Sequence, residues 1–211
     1  MTVWSKIFAV FPALHIALIL TSTYTFVKNP DPYSFIIIPM SVYIFPLISF
    51  RILNLLSPIK EGVTDILNDN FSPWWAGHQI QSLFIAVPFI ESILKIIPGL
   101  FSLWLRAWGS KIGRNIYWTP GTTHYDRNLL IIGDGVVFGE RSTTVCHVIT
   151  PKDGKALLRI KCIEIEKRAF VGAGSVISPG VIIESDVMVK AGTNVYPMRR
   201  VTKMGEVKIE D

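Results

Sequence analysis

The stretch that decides the fold is IEKRAFVGAGSVISPGVIIESDVMVKAGTNVYPMRR, residues 165–200, which divides into six consecutive units of six residues. The first position of every unit is aliphatic: Ile165, Val171, Ile177, Ile183, Val189 and Val195. The fifth position of the first five units is small or branched: Ala169, Ser175, Val181, Val187 and Thr193. A helix with 3.6 residues per turn cannot align residues that are six apart. The repeat therefore predicts a parallel β-helix, in which each short strand places one aliphatic side chain in the core.

The repeat extends toward the N-terminus but is interrupted once. Similar phrases occur at 112–116, 132–136 and 138–142, and the phase is lost over residues 142–163. This segment contains Pro151 and Gly154, which are typical of loops. Segments that leave a solenoid commonly carry its function, so we expect functional side chains near this interruption.

Composition separates the chain into two halves. Hydrophobic residues make up 50% of the 211 residues and charged residues 18%, whereas soluble domains carry about 25% charged residues. Residues 1–107 contain six Lys and Arg and five Asp and Glu, against fifteen and eleven in residues 108–211. We therefore expect a membrane part followed by a soluble part. Aromatic content and only two cysteines exclude a disordered chain and a disulfide scaffold, and no basic stripe alternates with aromatic residues as in nucleic-acid-binding proteins.

Two uncharged runs, residues 7–27 and 33–50, each reach the roughly 18 to 20 residues that cross a bilayer core. Pro30 and Pro32 separate them and break any continuous helix. We predict a transmembrane helical hairpin over residues 1–60. A cleaved signal peptide or two buried core helices are the alternatives, and both fit the sequence less well.

The charges that flank the two runs predict the orientation of the hairpin. Lys6 precedes the first run, Arg51 and Lys60 follow the second, and Lys28 is alone in the connection. Because cations near membrane spans favour the cytoplasmic side, we expect both ends and the soluble domain to face the cytoplasm.

Residues 61–110 are predicted to form amphipathic helices at the membrane surface. Tryptophans, which prefer the headgroup level, bracket most of this segment: Trp74, Trp75, Trp104 and Trp108. Polar residues such as Glu91 and Lys95 interrupt it too often for a simple span, and Pro88 and Pro98 break it. An amphipathic helix packed on the soluble domain is the compatible alternative.

The six-residue units and their glycines resemble the hexapeptide-repeat acyltransferases, in particular a membrane-anchored member, over residues 109–200. The resemblance implies a mainly β C-terminal domain, a left-handed parallel β-helix over 111–200 with a tail at 201–211. It implies a homotrimer and transfer of an acyl group from acyl-CoA or an acyl carrier protein to a hydroxyl or amine. The membrane part suggests a lipid-linked or apolar acceptor and the lipid bilayer as partner. A non-catalytic trimeric membrane scaffold on the same β-helix is the alternative.

Acyl transfer needs a base for the acceptor's proton, and a histidine is suited to that role. The repeat half contains His124 and His147. His147 precedes the interruption, in a place similar to the family's catalytic position, and we expect it to be the general base. His124 is the second candidate. Asp126 is expected either to orient an imidazole or to cap a turn.

Neither a thiol nucleophile nor a metal is expected. Cys146 is next to His147, but neighbours in a strand point to opposite faces. A zinc site like that of carbonic anhydrases in this fold would need three histidines, and the repeat half has two. The donor is therefore expected as a substrate, with no permanently bound cofactor.

The resemblance also implies where the coenzyme A arm lies, near the last coils. Small residues there would admit the pantetheine, and cations would bind phosphate. The residues on that path are Gly172, Ala173, Gly174, Pro179, Gly180, Lys190, Arg199 and Arg200. Turning the solenoid explains the same glycines equally well.

Overall fold

A computed structural model describes residues 2–68 and 70–209, which form two compact units. The first unit is Met1–Ile59 with Asn68–Ala86, and the second is Lys60–Leu67 with Val87–Asp211. The predicted interfacial segment 61–110 is therefore shared between the two units.

The first unit is helical. Its elements are α1 (Val3–Ala9), α2 (Phe11–Lys28), α3 (Pro32–Pro39), a π-helical turn (Met40–Ile44), α4 (Phe45–Leu56) and α5 (Pro73–Ala86). Val3–Lys28 and Pro32–Leu56 are two helical segments long and apolar enough to cross a membrane. Asp31 caps α3 through the N–H groups of Tyr33 and Ser34, so the chain reverses direction immediately after the first segment.

Three buried polar side chains of these helices, Ser22, Ser41 and His15, lie close together. The hydroxyl groups of Ser22 and Ser41 lie 3.0 Å apart, and Nε2 of His15 lies 3.0 Å from the Ser41 carbonyl. Large apolar side chains such as Leu20, Phe35 and Leu55 are exposed. The first unit thus buries these three polar side chains and exposes many large apolar ones, which suits a lipid environment.

The second unit contains three parallel sheets that form the faces of a solenoid. Face 1 comprises β2 (Lys111–Ile112), β5 (Leu130–Ile132), β10 (Ile163–Ile165), β13 (Ile182–Ile183) and β16 (Arg199–Thr202). Face 2 comprises β3 (Tyr117–Trp118), β6 (Val137–Phe138), β11 (Phe170–Val171) and β14 (Met188–Val189). Face 3 comprises β4 (Thr123–His124), β7 (Thr143–Thr144), β12 (Val176–Ile177) and β15 (Asn194–Val195). The described strands make four full coils followed by β16.

The six-residue repeat accounts for the core of this solenoid. All six aliphatic first positions are buried: Ile165, Val171, Ile177, Ile183, Val189 and Val195. Ile165 pairs with Ile183 and Val171 with Val189, so three units close one coil. The predicted parallel β-helix is confirmed.

The interruption at 142–163 is a β-hairpin, where we expected a loop. Strands β8 (His147–Lys152) and β9 (Lys155–Ile160) pair antiparallel, and β1 (Gly62–Asp65) adds a third strand to β9. Asp153 and Gly154 both have positive φ at its tip, as a two-residue hairpin turn requires. The segment predicted as a tail also forms a strand, β17 (Gly205–Lys208), which pairs antiparallel with β16.

Helices α6 (Phe89–Ile96) and α7 (Leu100–Trp108) cover the first coil. The Phe101 ring packs edge-on against Trp118, with 5.1 Å between centroids. The Trp118 indole N–H donates to the Ser102 hydroxyl at 2.9 Å. These contacts close the end of the solenoid, whose core would otherwise be open to solvent.

Candidate active site

The two departures from regular coils occur at the same edge of the solenoid. His124 and Ile132 are eight residues apart, whereas Ile177 and Ile183, at the corresponding turn, are six apart. The hairpin leaves the next coil at the same turn, between β7 and β10. We call this line of turns, between faces 3 and 1, the hairpin edge. Because the coils stack, the lengthened turn after β4 and the start of the hairpin after β7 lie side by side.

The hairpin edge joins His147 to Asp126. Nδ1 of His147 lies 2.8 Å from Oδ2 of Asp126, and that oxygen also accepts the Cys146 backbone N–H at 2.8 Å. The Asp126 side chain is 2% exposed and the His147 side chain 16%. A buried carboxylate thus supports an imidazole that reaches the surface.

This arrangement determines which nitrogen of His147 can accept a proton. Because Nδ1–H donates to the Asp126 carboxylate, Nε2 carries the lone pair of the neutral imidazole. The carboxylate also stabilises the imidazolium that forms when Nε2 takes a proton. The dyad is therefore competent for general base and general acid chemistry.

His124 lies elsewhere, inside the solenoid. It is fully buried among Phe101, Trp118 and Phe138, and its Nδ1 is 2.8 Å from the Thr144 hydroxyl. Burial lowers its pKa well below the usual value, and nearby cations lower it further. The structure brings Asp126 to His147 and leaves His124 as a neutral core residue.

The two cysteines have environments that suppress thiolate formation. Burial and the Asp126 charge raise the pKa of the Cys146 thiol well above its usual range, and its Sγ lies 3.3 Å from the Leu129 carbonyl. Burial and the side chain of Glu61 raise the pKa of Cys162 to about 12. A nucleophilic thiol needs the opposite environment.

The structure also contains a buried ion pair near the dyad that the sequence did not predict. The guanidinium of Arg127 binds the Glu91 carboxylate through Nε at 2.6 Å and Nη2 at 2.7 Å, and both side chains are buried. Glu91 is a charged residue in an apolar helix, and Arg127 is a charged residue in a turn, but nothing in the sequence relates the two positions. Only the packing of α6 on the first coil brings them together.

The predicted donor residues fall on two different edges. Pro179 and Gly180 lie on the hairpin edge, and Arg199 and Arg200 begin the face 1 strand β16 that follows this edge. Gly180 has a φ of 71°, and a Cβ there would meet Lys161 and Met198. Gly172, Ala173, Gly174 and Lys190 lie on the edge between faces 2 and 3. A Cβ on Gly172 would collide with the backbone of the next coil. Coil geometry thus accounts for these glycines.

A groove of about 670 Å³ lies on another side of the second unit. Its lining mixes cations and carboxylates, including Arg106, Lys111, Asp134, Glu166 and Lys167. No residue of the His147–Asp126 dyad lines it. Among residues 2–68 and 70–209, no group of three or more His, Cys, Asp or Glu is placed to hold a metal ion.

Comparison with known proteins identifies the repeat. Residues 163–197, the third and fourth coils, match the family described as hexapeptide repeat of succinyl-transferase. A galactoside acetyltransferase in complex with coenzyme A is 12% identical with a TM-score of 0.42, covering 72% of this chain and 86% of that one. A hexapeptide-repeat-containing acetyltransferase with acetyl coenzyme A from Vibrio cholerae O1 biovar eltor is 17% identical with a TM-score of 0.36, covering 62% and 91%.

A maltose O-acetyltransferase from Clostridium difficile 630 is 11% identical with a TM-score of 0.38, covering 72% of this chain and 95% of that one. No curated protein sequence matches the chain. At these similarities the function has to be derived from this chain's own side chains.

Proposed function

We propose that this chain is a membrane-anchored acyltransferase. It moves an acyl group from a coenzyme A or carrier-protein thioester to a hydroxyl or amine of a lipid-linked or apolar acceptor. The observation that carries the proposal is the dyad: Asp126, buried, bound at 2.8 Å to the partly exposed His147, at the edge where the hairpin leaves the repeat. A purely structural turn needs neither a buried carboxylate nor an imidazole at its surface.

The reaction balances without a covalent enzyme intermediate. Nε2 of His147 takes the proton as the acceptor oxygen or nitrogen attacks the thioester carbonyl. The tetrahedral intermediate then collapses, its carbon–sulfur bond breaks, and the imidazolium returns the proton to the leaving thiolate. Asp126 stabilises the imidazolium between the two steps. The raised pKa of Cys146 supports direct transfer over a thioester on the enzyme.

The helical unit supports the membrane part of the proposal. Two segments of 26 and 25 residues suit a bilayer crossing. With Lys6, Arg51 and Lys60 at the outer ends, both ends and the catalytic unit face the cytoplasm. Apolar side chains on α6, including Phe89 and Ile96, are exposed and suit an interfacial position.

We also propose a homotrimer, in which face 2 of the β-helix contacts a second copy of this chain. The outward positions of face 2 form an apolar ladder in register: Tyr117, Val137, Phe170 and Met188. On face 3 the corresponding positions are mostly polar, and on face 1 they include Lys111, Glu164 and Arg200. An exposed apolar stripe limited to one face supports a specific contact. Met188→Lys should therefore reduce the oligomer mass in detergent.

The proposed donor path uses two edges, which supports a site shared between copies. The first set lies on the same edge as His147 (Pro179 and Gly180) or at the start of the strand after it (Arg199 and Arg200). The second set lies on the edge between faces 2 and 3: Gly172, Ala173, Gly174 and Lys190. In a left-handed β-helix trimer, one copy would supply the dyad and its neighbour the second set. Arg199, Arg200 and Lys190 would then meet the phosphates.

The experiment is a screen with detergent-purified full-length protein. Release of free coenzyme A from acyl-CoA donors of different length is followed with and without lipid-linked and sugar alcohols and amines as acceptors. Acceptor-dependent thiol release is the expected result. Absence of release with every donor and carrier-protein thioester, from protein that keeps its oligomeric state, would instead support the non-catalytic scaffold.

A further inference from the structure

Glu91 lies on helix α6, which exposes apolar side chains, yet the Glu91 side chain itself is buried. Its carboxylate takes three hydrogen bonds: two from the Arg127 guanidinium, at 2.6 and 2.7 Å, and one from the Trp104 indole N–H at 2.7 Å. Arg127 is fully buried as well. A buried carboxylate is retained when its partners satisfy it, as they do here.

Arg127 holds the turn that carries Asp126. Its guanidinium is bound to Glu91, and its backbone carbonyl accepts the Ser110 hydroxyl at 2.8 Å. The Asp126 carbonyl accepts the Leu129 N–H at 3.2 Å. The residue next to Asp126 is thus anchored by both its side chain and its backbone.

Asp126 needs such support because of where it lies. The turn that contains Asp126 is two residues longer than the regular turns of the solenoid. The backbone hydrogen bonds between stacked coils therefore do not determine the path of this turn by themselves. Asp126 must also accept hydrogen bonds from both the Cys146 N–H and the His147 ring. A shift of about 1 Å would lengthen both bonds beyond useful geometry.

We propose that Glu91 is a positioning residue for the reaction: through Arg127 it holds Asp126 against His147. The proposal rests on the proposed function of the dyad. It assigns to α6 a role in turnover as well as in covering the solenoid. Without the negative charge of Glu91, the buried Arg127 moves toward other acceptors, and the 125–129 turn moves with it.

The test compares Glu91→Gln with the wild type in full-length protein. We expect kcat to fall about 10- to 100-fold, with KM for the acyl donor within about twofold, because orientation is lost and binding is not. In this variant Lys95 loses the attraction of the Glu91 charge, whereas the Glu61–Lys161 pair is unchanged.

Asp186→Asn is the matched control. It breaks an ion pair of the same geometry, Arg168 Nε and Nη2 at 2.6 and 2.7 Å from Asp186, on an exposed edge away from the dyad. This variant should keep the wild-type kcat and KM. Equal effects of the two substitutions would overturn the proposal.

A second variant covers the case in which Glu91→Gln does not fold. Glu91→Leu with Arg127→Met replaces the pair by apolar side chains of similar size, which folds commonly tolerate. Folded protein with reduced kcat and a nearly unchanged KM for the acyl donor supports positioning, and a wild-type kcat in either variant contradicts it. If the wild type is active, His147→Asn is inactive and Glu91→Gln is normal, this inference fails while the proposed function stands.

Discussion

His147 and Asp126 are 21 residues apart in the chain, and their side chains meet at 2.8 Å because two irregular turns stack at one edge of the solenoid. Asp126 enters through the lengthened turn after β4, and His147 begins the hairpin that leaves the next coil. The regular repeat supplies the rigid frame, and its two interruptions supply the two side chains of the proposed catalytic dyad.

Asp126→Asn should lower kcat by about 10²-fold or more. The amide oxygen can take the place of Oδ2 and still accept both the Cys146 N–H and Nδ1–H. A neutral amide, however, no longer stabilises the imidazolium that forms when Nε2 takes the acceptor's proton. Asp134→Asn is the control, because Asp134 also accepts a backbone N–H, from Arg114, but lies outside the dyad. Similar kinetics for the two variants would count against a role of the Asp126 charge in the reaction.

Neither thiol should take part in the reaction. With its pKa raised to about 12, Cys162 is protonated at pH 8, and Cys146 is protonated and buried. We expect slow labelling of the folded protein by iodoacetamide at pH 8, and near-normal turnover for Cys146→Ala. Isolation of a stable acyl thioester on Cys146 would contradict direct transfer.

Lys95 should make stability depend on alkaline pH. Burial lowers its pKa from 10.5 to about 8, partly offset by Glu91. Between these values the unfolded chain binds more protons than the folded protein, so this residue's contribution to stability increases as pH rises through that window. The melting temperature of the wild type relative to Lys95→Met should therefore increase from pH 7.5 to pH 9.5. An unchanged or decreasing difference would show that Lys95 keeps its usual pKa.

The orientation of the membrane part can be tested with single cysteines. In a Cys146→Ala, Cys162→Ala background, Asn29→Cys should react with an impermeant reagent added to intact cells. Asp65→Cys should react only after lysis, because the positive flanks favour the cytoplasm. Labelling of Asp65→Cys alone from outside would reverse the proposed topology.

The sequence predicted the solenoid because every repeat position has the same local environment. Ile165 and Ile183 occupy equivalent core positions, so a one-dimensional pattern determines their packing. The two apolar helical segments were predictable for a similar reason, since bilayer thickness sets their length.

The dyad and its support were harder to predict. The sequence left Asp126 open between orienting an imidazole and capping a turn, and which histidine it meets depends on how the coils stack. Arg127 and Glu91 pair only after α6 packs on the first coil, and no periodicity relates a helix residue to a turn residue 36 positions away. The hairpin was predicted as a loop because its pairing with β1 is also long-range.

The most direct measurement is the turnover of His147→Asn in acceptor-dependent release of coenzyme A. Asparagine keeps a hydrogen-bonding side chain but cannot take a proton at neutral pH, so we predict a fall of about 10²- to 10⁴-fold with the fold retained. His124→Ala, the control, should lower stability by about 2–4 kcal/mol through a core cavity and have a milder effect on turnover per folded molecule. Full turnover by His147→Asn, or its loss only in His124→Ala, would contradict the role of His147 as the base.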